Sequence, residues 1–149
     1  MIRSARIQVP ATSANLGPGY DCAGLALSLV DELEADLVAS PGLTIDVEGE
    51  SADSIPRDDT HLVVRSMGRG FAEGGQQISG LHLRCRNNIP HGRGLGSSSA
   101  AIVGGLVLAR ELMDDGRAVL TDDCLVRLAS ELEGHPDNVA PAILGGLTV

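Results

Sequence analysis

Aromatic residues are nearly missing from this sequence, which has one Tyr, one Phe and no Trp, or 1% aromatics in 149 residues. A hydrophobic core must therefore be built from Ala, Val, Leu and Ile. Hydrophobic residues make up 43% of the chain, and this length is sufficient for one domain with its own core. The same hydrophobic content excludes a disordered chain.

Positive charge and cysteine are also scarce. The formal net charge is −9, so the chain does not attract phosphate backbones at long range, and we expect no nucleic-acid partner. A mononucleotide ligand is still compatible with this charge, because backbone N–H groups and a metal ion can hold it. The chain has three cysteines, Cys22, Cys85 and Cys124. Their odd number and the lack of CxxC spacing favour reduced thiols over a disulfide framework or a zinc site.

The sequence has neither a run of apolar residues of membrane length nor a basic-then-apolar stretch at its N-terminus. Charged residues and glycines interrupt every apolar segment well before the length that a membrane span requires. We therefore expect no contact with a membrane and a cytoplasmic location.

The periodicity of apolar residues predicts both strands and helices. Alternation predicts strands at residues 2–9, 25–38, 43–47 and 81–86, and helical spacing predicts helices at 61–71, 100–113 and 122–132. Thr60 and Thr121 are the expected N-caps of the first and last of these helices, and Gly74 and Gly75 should end the first one. Residues 140–149 are apolar and end as if a strand were beginning.

Two loops rich in Gly, Pro, Ser and Asn separate these elements, at residues 10–24 and 87–99. Because strands and helices are mixed without regular βαβ alternation, the order predicts an α+β fold. We find no repeat and no linker, so residues 1–149 are expected to form one domain.

The strongest functional signal is the segment between the predicted strand 81–86 and the predicted helix 100–113. It consists of Pro90, His91, Gly92, Arg93, Gly94, Leu95, Gly96, Ser97, Ser98, Ser99 and Ala100. Alternate glycines allow positive φ and a close approach of the backbone to a ligand. The serines fall at a helix N-terminus, where free N–H groups and the helix dipole favour an anion. The segment therefore predicts a phosphate-binding loop.

Two common phosphate loops are excluded by the spacing. A Walker A loop requires Lys before Ser or Thr, but Gly96 is followed by Ser97. A dinucleotide-binding fingerprint requires GxGxxG, but the glycines at 92 and 94 are followed by Ser97. A plain glycine turn with a serine N-cap is the remaining structural alternative, although it requires only one serine.

The segment PxxxGLGSSSA resembles the ATP loop of the GHMP kinases, a superfamily that includes galactokinases, homoserine kinases, mevalonate kinases and phosphomevalonate kinases. Two further segments, PATSANLGPGYD at residues 10–21 and EGHPDNVAP at residues 133–141, resemble homoserine kinases in particular. The resemblance extends from Arg6 to the last residue. It implies the GHMP kinase N-terminal domain, whose fold is similar to that of the second domain of ribosomal protein S5, with the family's C-terminal domain absent from these residues.

The resemblance also implies an activity. Homoserine kinases transfer the γ-phosphoryl group of ATP to the side-chain hydroxyl of L-homoserine, which gives O-phospho-L-homoserine on the route to threonine. ATP, Mg²⁺ and L-homoserine are the implied ligands, and a homodimer is left open. The alternatives are a GHMP kinase acting on another alcohol, such as an isoprenoid precursor, and a non-catalytic ATP-binding module. The residues at positions 21, 133 and 138 favour an enzyme, because a module that only binds ATP could dispense with them.

Metal and substrate residues follow from the same resemblance. Ser98 is the first choice for a hydroxyl ligand of Mg²⁺, with Ser97 and Ser99 as alternatives. Glu133 is preferred over Glu131 as its carboxylate. These two glutamates are two positions apart and should point to different faces of a helix. Asn138, Asp137 and Glu133 form the implied catalytic group, and the general base stays unassigned.

Homoserine is a zwitterion, so its ammonium requires an anionic partner. Asp21 is the implied partner of the ammonium, and Asn15 and Asn138 are implied near the reacting hydroxyl. The structural alternative for Asn15 and Asp21 is that their side chains only stabilise turns in a Gly/Pro-rich loop.

Overall fold

The computed structural model describes residues 3–17 and 21–149, and the predicted strand start at Ile2 and loop residues 18–20 lie outside these ranges. The elements in chain order are β1 (Arg3–Ala14), β2 (Gly24–Leu37), β3 (Gly42–Gly49), α1 (Leu62–Glu73), β4 (Gly80–Asn87), α2 (Ser97–Leu112), α3 (Gly116–Val119), α4 (Asp122–Glu133), α5 (Val139–Leu144) and β5 (Leu147–Thr148). The α+β prediction is confirmed.

The strands form one mixed sheet in the order β1-β2-β4-β3, and the short β5 pairs with the start of β2. β2 is antiparallel to β1, β4 and β5, whereas β3 and β4 are parallel. The parallel pair requires a crossover connection, and α1 lies in that connection. The order β-β-β-α-β of the first part of the chain is as the sequence predicts.

The first strand is longer than predicted, since it continues through Pro10 to Ala14, where the sequence indicated a loop. Proline cannot donate a backbone hydrogen bond, but β1 is an edge strand, where this loss is tolerated. The pairing with β2 also shifts register between Pro10 and Thr12, which is a local bulge. The first loop is correspondingly shorter and begins at Asn15.

The helix boundaries differ from prediction at two functional positions. His61, and not Thr60, is the N-cap of α1, because its Nδ1 accepts a hydrogen bond from the Val63 N–H at 3.2 Å. α2 begins at Ser97 with Gly96 as its N-cap, so none of the serines serves as the cap. Thr121 caps α4 as predicted. The short helices α3 and α5 were missed.

The helices cover one face of the sheet and form the core with it. Leu33, Ala35 and Leu83 point to this face and are buried. α1 and α2 approach closely, because a Cβ at Gly105 would lie 2.4 Å from the Val63 carbonyl oxygen. The opposite face of the sheet carries cross-strand rows of charged residues. One such row is Arg6, Glu34, Arg84 and Asp46.

Candidate active site

The predicted phosphate loop has a backbone that suits an anion. Gly92, Gly94 and Gly96 all have positive φ, at 67°, 72° and 67°. The Ala100 N–H donates to the Gly96 carbonyl at 2.8 Å, so the three serines that precede Ala100 have no intrahelical acceptor for their N–H groups. These N–H groups form the positive end of the 16-residue helix α2.

Glu133 lies directly against this loop. Its Oε1 accepts hydrogen bonds from the Ser98 hydroxyl at 2.7 Å and from the Ser99 hydroxyl at 2.9 Å. Glu133 is the last residue of α4, and the chain turns away at Gly134, which has a φ of 97°. The fold thus brings the predicted carboxylate and the predicted serine ligand into contact across 35 positions of sequence.

Glu131 points elsewhere. It pairs with Arg127 at 3.0 Å, one helical turn earlier in α4, and with Arg69 of α1 at 3.7 Å. Its side chain is 52% exposed. This position suits a solvated ion pair on the outer surface, as the spacing of the two glutamates predicts.

The donor set at Glu133 suits a hard cation. One carboxylate and two hydroxyls supply oxygen ligands only, which is what Mg²⁺ prefers. Among residues 3–17 and 21–149, no group of three or more His, Cys, Asp and Glu side chains is arranged to hold a metal ion by itself. A metal ion here would therefore take its other ligands from phosphate groups and water, as is usual for Mg²⁺ at nucleotide sites.

Asn138 contacts a residue that sequence reasoning missed. The buried Thr12 of β1 donates a hydrogen bond from its hydroxyl to Asn138 Oδ1 at 2.9 Å. The Thr12 N–H also donates to the carbonyl of Leu95 in the phosphate loop at 3.0 Å. Thr12 lies in a segment that the sequence marked as a loop, and no local signal indicated its contacts.

Asp137 is turned into the protein. Its side chain is only 3% exposed, and its Oδ1 contacts Nδ1 of His135, which is 48% exposed. Asp137 therefore does not present a free carboxylate, although the resemblance implies a catalytic role for it. Its neighbour His135 is the exposed member of the pair.

A hydrogen bond joins Asn15 and Asp21 across the first loop. The Asp21 N–H donates to Asn15 Oδ1 at 3.2 Å, and both residues have left-handed φ values of 58° and 53°. The Asn15 side chain thus makes the turn contact that was the alternative to substrate binding. The Asp21 side chain is exposed and available to a ligand. The part of the PATSANLGPGYD motif at residues 18–20 lies outside the described residues.

A cavity of about 250 Å³ adjoins the start of α2. Leu33, Ile55, Pro56, Leu62, Val63, Ala100 and Ala101 form its apolar wall, and Asp31, His61, Asn87, His91, Ser97 and Ser98 add polar groups. The serines that begin α2 therefore border both the anion-binding backbone and this largely apolar cavity. Such an arrangement accommodates a ligand with a charged end and a flat or apolar body.

His61 lies in the wall of this cavity. Burial lowers the pKa of the His61 imidazole, which is therefore neutral near pH 7. Its Nδ1 accepts the Val63 N–H, so the proton of the neutral ring is on Nε2. Nε2 is buried and has no hydrogen-bond partner among the described residues.

Asp31 anchors the start of the phosphate loop. Its Oδ1 accepts the backbone N–H groups of Asn88 at 2.6 Å and of Ile89 at 2.9 Å. Burial raises the pKa of the Asp31 carboxyl, whereas the two backbone hydrogen bonds and nearby His91 oppose this rise. The strand alternation contained a signal for this residue, since it places Asp31 on the same buried face as Leu33.

Two other depressions on the surface do not adjoin the phosphate loop. One lies on the charged face of the sheet and the other between α1 and the β3–β4 edge. In the described ranges, we find no helix with the length and apolar character needed to cross a membrane.

Several curated proteins with similar sequences are named homoserine kinase. The homoserine kinase of Streptomyces coelicolor is 55% identical over 146 residues, which cover 98% of this chain and 47% of that protein. The homoserine kinase of Mycolicibacterium smegmatis is 54% identical over 147 residues, which cover 98% and 46%. The chain thus spans about half the length of the curated relatives it matches.

Solved structures agree in fold. A homoserine kinase from Cytophaga hutchinsonii superposes with a TM-score of 0.80 at 29% identity, over 97% of this chain and 47% of that one. The mevalonate kinase of Methanococcus jannaschii has a TM-score of 0.74 at 14% identity, which indicates a shared fold alone. The family model for the GHMP kinases N terminal domain matches residues 61–146, which include the phosphate loop and Glu133. The chain therefore belongs to the GHMP kinase N-terminal domain family.

Proposed function

We propose that the protein containing this chain transfers the γ-phosphoryl group of ATP to the side-chain hydroxyl of L-homoserine. The observation that carries the proposal is the contact of Glu133 with Ser98 and Ser99, which joins a carboxylate to the phosphate loop. Homoserine kinases of about 50–55% identity over nearly all of this chain support this choice of substrate. Among residues 3–17 and 21–149, we find no feature that favours an isoprenoid alcohol.

The triphosphate is assigned to the loop from Pro90 to Ala100. The positive φ values of its glycines and the free N–H groups of Ser97 to Ser99 create a concave surface of donors. The nucleoside is assigned to the adjoining cavity, whose wall is largely apolar. Both assignments use one continuous surface at the N-terminus of α2.

Glu133 and Ser98 would hold Mg²⁺, with Ser99 beside them. The bound cation would neutralise charge on the phosphates, which is a main requirement of phosphoryl transfer. Both serine hydroxyls already lie within hydrogen-bond distance of Glu133 Oε1, so little rearrangement is required. Each hydroxyl would keep its proton and offer an oxygen lone pair to the cation.

The acceptor is assigned to the opposite side of the loop. Asp21 would pair with the ammonium of homoserine, Asn15 lies beside Asp21, and Asn138 would contact the reacting hydroxyl. Asp137 contributes by holding His135 through its buried carboxylate. In the reaction the hydroxyl oxygen bonds to the γ-phosphorus and loses its proton, which passes to solvent, while the bond from phosphorus to the β,γ-bridging oxygen breaks and ADP leaves. We assign this reaction to the cytoplasm.

A substrate panel tests the proposal. ADP release by the full-length protein should depend on both Mg²⁺ and L-homoserine, with mevalonate and other primary alcohols as comparison acceptors. Formation of O-phospho-L-homoserine should match the ADP released. Faster turnover with mevalonate, or ADP release that is independent of any acceptor, would refute the choice of substrate.

A further inference from the structure

Thr12 is the residue at which three segments of the candidate active site meet. It is fully buried in β1, its N–H donates to the Leu95 carbonyl at 3.0 Å, and its hydroxyl donates to Asn138 Oδ1 at 2.9 Å. The first strand, the phosphate loop and the start of α5 are thus connected by the backbone and side chain of one residue. The hydroxyl contact joins positions 126 apart in sequence.

The pair formed by Thr12 and Asn138 is tightly confined. A Cβ at Gly96 would lie 2.2 Å from Thr12 Oγ1 and 3.3 Å from Asn138 Oδ1. Gly96 is also the N-cap of α2, so the same backbone atoms border the anion-binding N–H groups. Neither side chain can move towards the loop without displacing it.

In the structure, the oxygen end of the Asn138 amide lies against Thr12. A carboxamide has an acceptor oxygen at one end and an NH₂ donor at the other. Because the Thr12 hydroxyl donates to the oxygen, the NH₂ group is directed away from Thr12. Thr12 is completely buried whereas Asn138 is half-exposed, so the NH₂ group lies on the open side of the site.

We infer that Thr12 is a positioning residue for phosphoryl transfer. Its hydroxyl holds the Asn138 side chain in the orientation that presents two N–H donors to the oxygen atoms of the reacting groups. An inverted amide would present a carbonyl oxygen to phosphate oxygens, which is repulsive. The inference rests on the proposed function and adds to it a residue that contacts no substrate.

The test compares variants of the full-length protein at position 12. Thr12→Val has nearly the same shape but no hydroxyl, and Thr12→Ser retains the hydroxyl. We expect Thr12→Val to lower kcat about tenfold, as for the loss of one oriented hydrogen bond, with KM for ATP unchanged within about twofold. Thr12→Ser should retain most of kcat. The measurements are steady-state kinetics with homoserine and ATP, and binding of a non-hydrolysable ATP analogue.

The variant Asn138→Ala serves as the starting protein for a double-mutant comparison. If Thr12 acts through Asn138, adding Thr12→Val to Asn138→Ala should lower kcat no further. Two results would overturn the inference while the wild type stays active with homoserine. One is an unchanged kcat in Thr12→Val, and the other is an equal loss of kcat and ATP-analogue binding in both the Val and Ser variants.

Two further outcomes are also decisive. If Thr12→Val does not fold, Thr12→Ala replaces it, because Ala and Ser differ only in the hydroxyl. A lower kcat in Thr12→Ala than in Thr12→Ser supports the inference, and equal values refute it. A wild-type protein that phosphorylates no homoserine refutes the proposed function and this inference together.

Discussion

Replacing Gly96 with alanine measures how closely the phosphate loop is held against the first strand. An alanine at this position would keep a left-handed φ of 67°, which costs an L-residue about 1–2 kcal/mol. Its Cβ would also lie 2.2 Å from Thr12 Oγ1, so the Thr12 side chain must move. Leaving that buried hydroxyl without its Asn138 partner costs about 1–3 kcal/mol more.

Gly94 offers a matched control in the same loop. Its φ of 72° imposes the same conformational cost, but a Cβ there has no atom within 4 Å. Gly94→Ala should therefore lower the free energy of unfolding by about 1–2 kcal/mol, and Gly96→Ala by about 2–5 kcal/mol. Gly92→Ala, with a φ of 67° and equally open surroundings, should behave like Gly94→Ala.

Thermal unfolding without nucleotide separates these variants. At about 2–4 °C per kcal/mol, the additional cost of about 1–3 kcal/mol should make Gly96→Ala melt at least about 2 °C below Gly94→Ala. The comparison is made without ATP, because any of the three positions could approach a bound phosphate. Equal melting temperatures for Gly96→Ala and Gly94→Ala would show that the loop is not packed against Thr12, and the reasoning would fail.

Three further predictions concern charge and titration. Glu133→Gln should lower kcat at least about tenfold and raise the Mg²⁺ concentration needed for half-maximal activity. Glu131→Gln should alter neither quantity. If only Glu131→Gln has these effects, Glu131 and not Glu133 is the metal carboxylate. Because burial lowers the pKa of His61, its neutral form contributes stability that is complete above about pH 6.5 and is lost as pH falls through the folded pKa. Melting temperatures from pH 7.5 to 5 should therefore fall less steeply in His61→Asn, and parallel curves would contradict this. Asp21→Asn should reduce kcat/KM for homoserine by a factor that corresponds to about 2–4 kcal/mol of transition-state free energy, with little change in KM for ATP. Wild-type kinetic constants for homoserine would mean that Asp21 only forms a turn.

The sequence by itself determined the parts of the site that are local. Alternate glycines followed by serines between a strand and a helix predicted the anion-binding loop, since backbone conformation and helix polarity depend on neighbouring residues. Neighbouring residues also sufficed to predict the N-cap at Thr121 and the different orientations of Glu131 and Glu133. The fold class followed from periodicity, and the three motifs of the resemblance pointed to the family.

Local patterns failed where the surroundings of a residue decide its conformation. Pro10 reads as a loop residue, yet it lies in a strand because β1 is at the sheet edge and contains a bulge. The helix α5 was missed, because its few residues have no helical periodicity to detect and are stabilised by packing. The N-cap of α1 is His61, since burial removes competing water from its ring nitrogen.

Only the tertiary structure decided which distant groups meet. The contact of Glu133 with Ser98 and the hydrogen bond of Thr12 with Asn138 join positions 35 and 126 apart in sequence. The burial of His61 Nε2 and the cavity beside α2 likewise arise only in the folded chain. Such contacts depend on how helices and strands pack against one another, and neither periodicity nor the spacing of motifs contains that information.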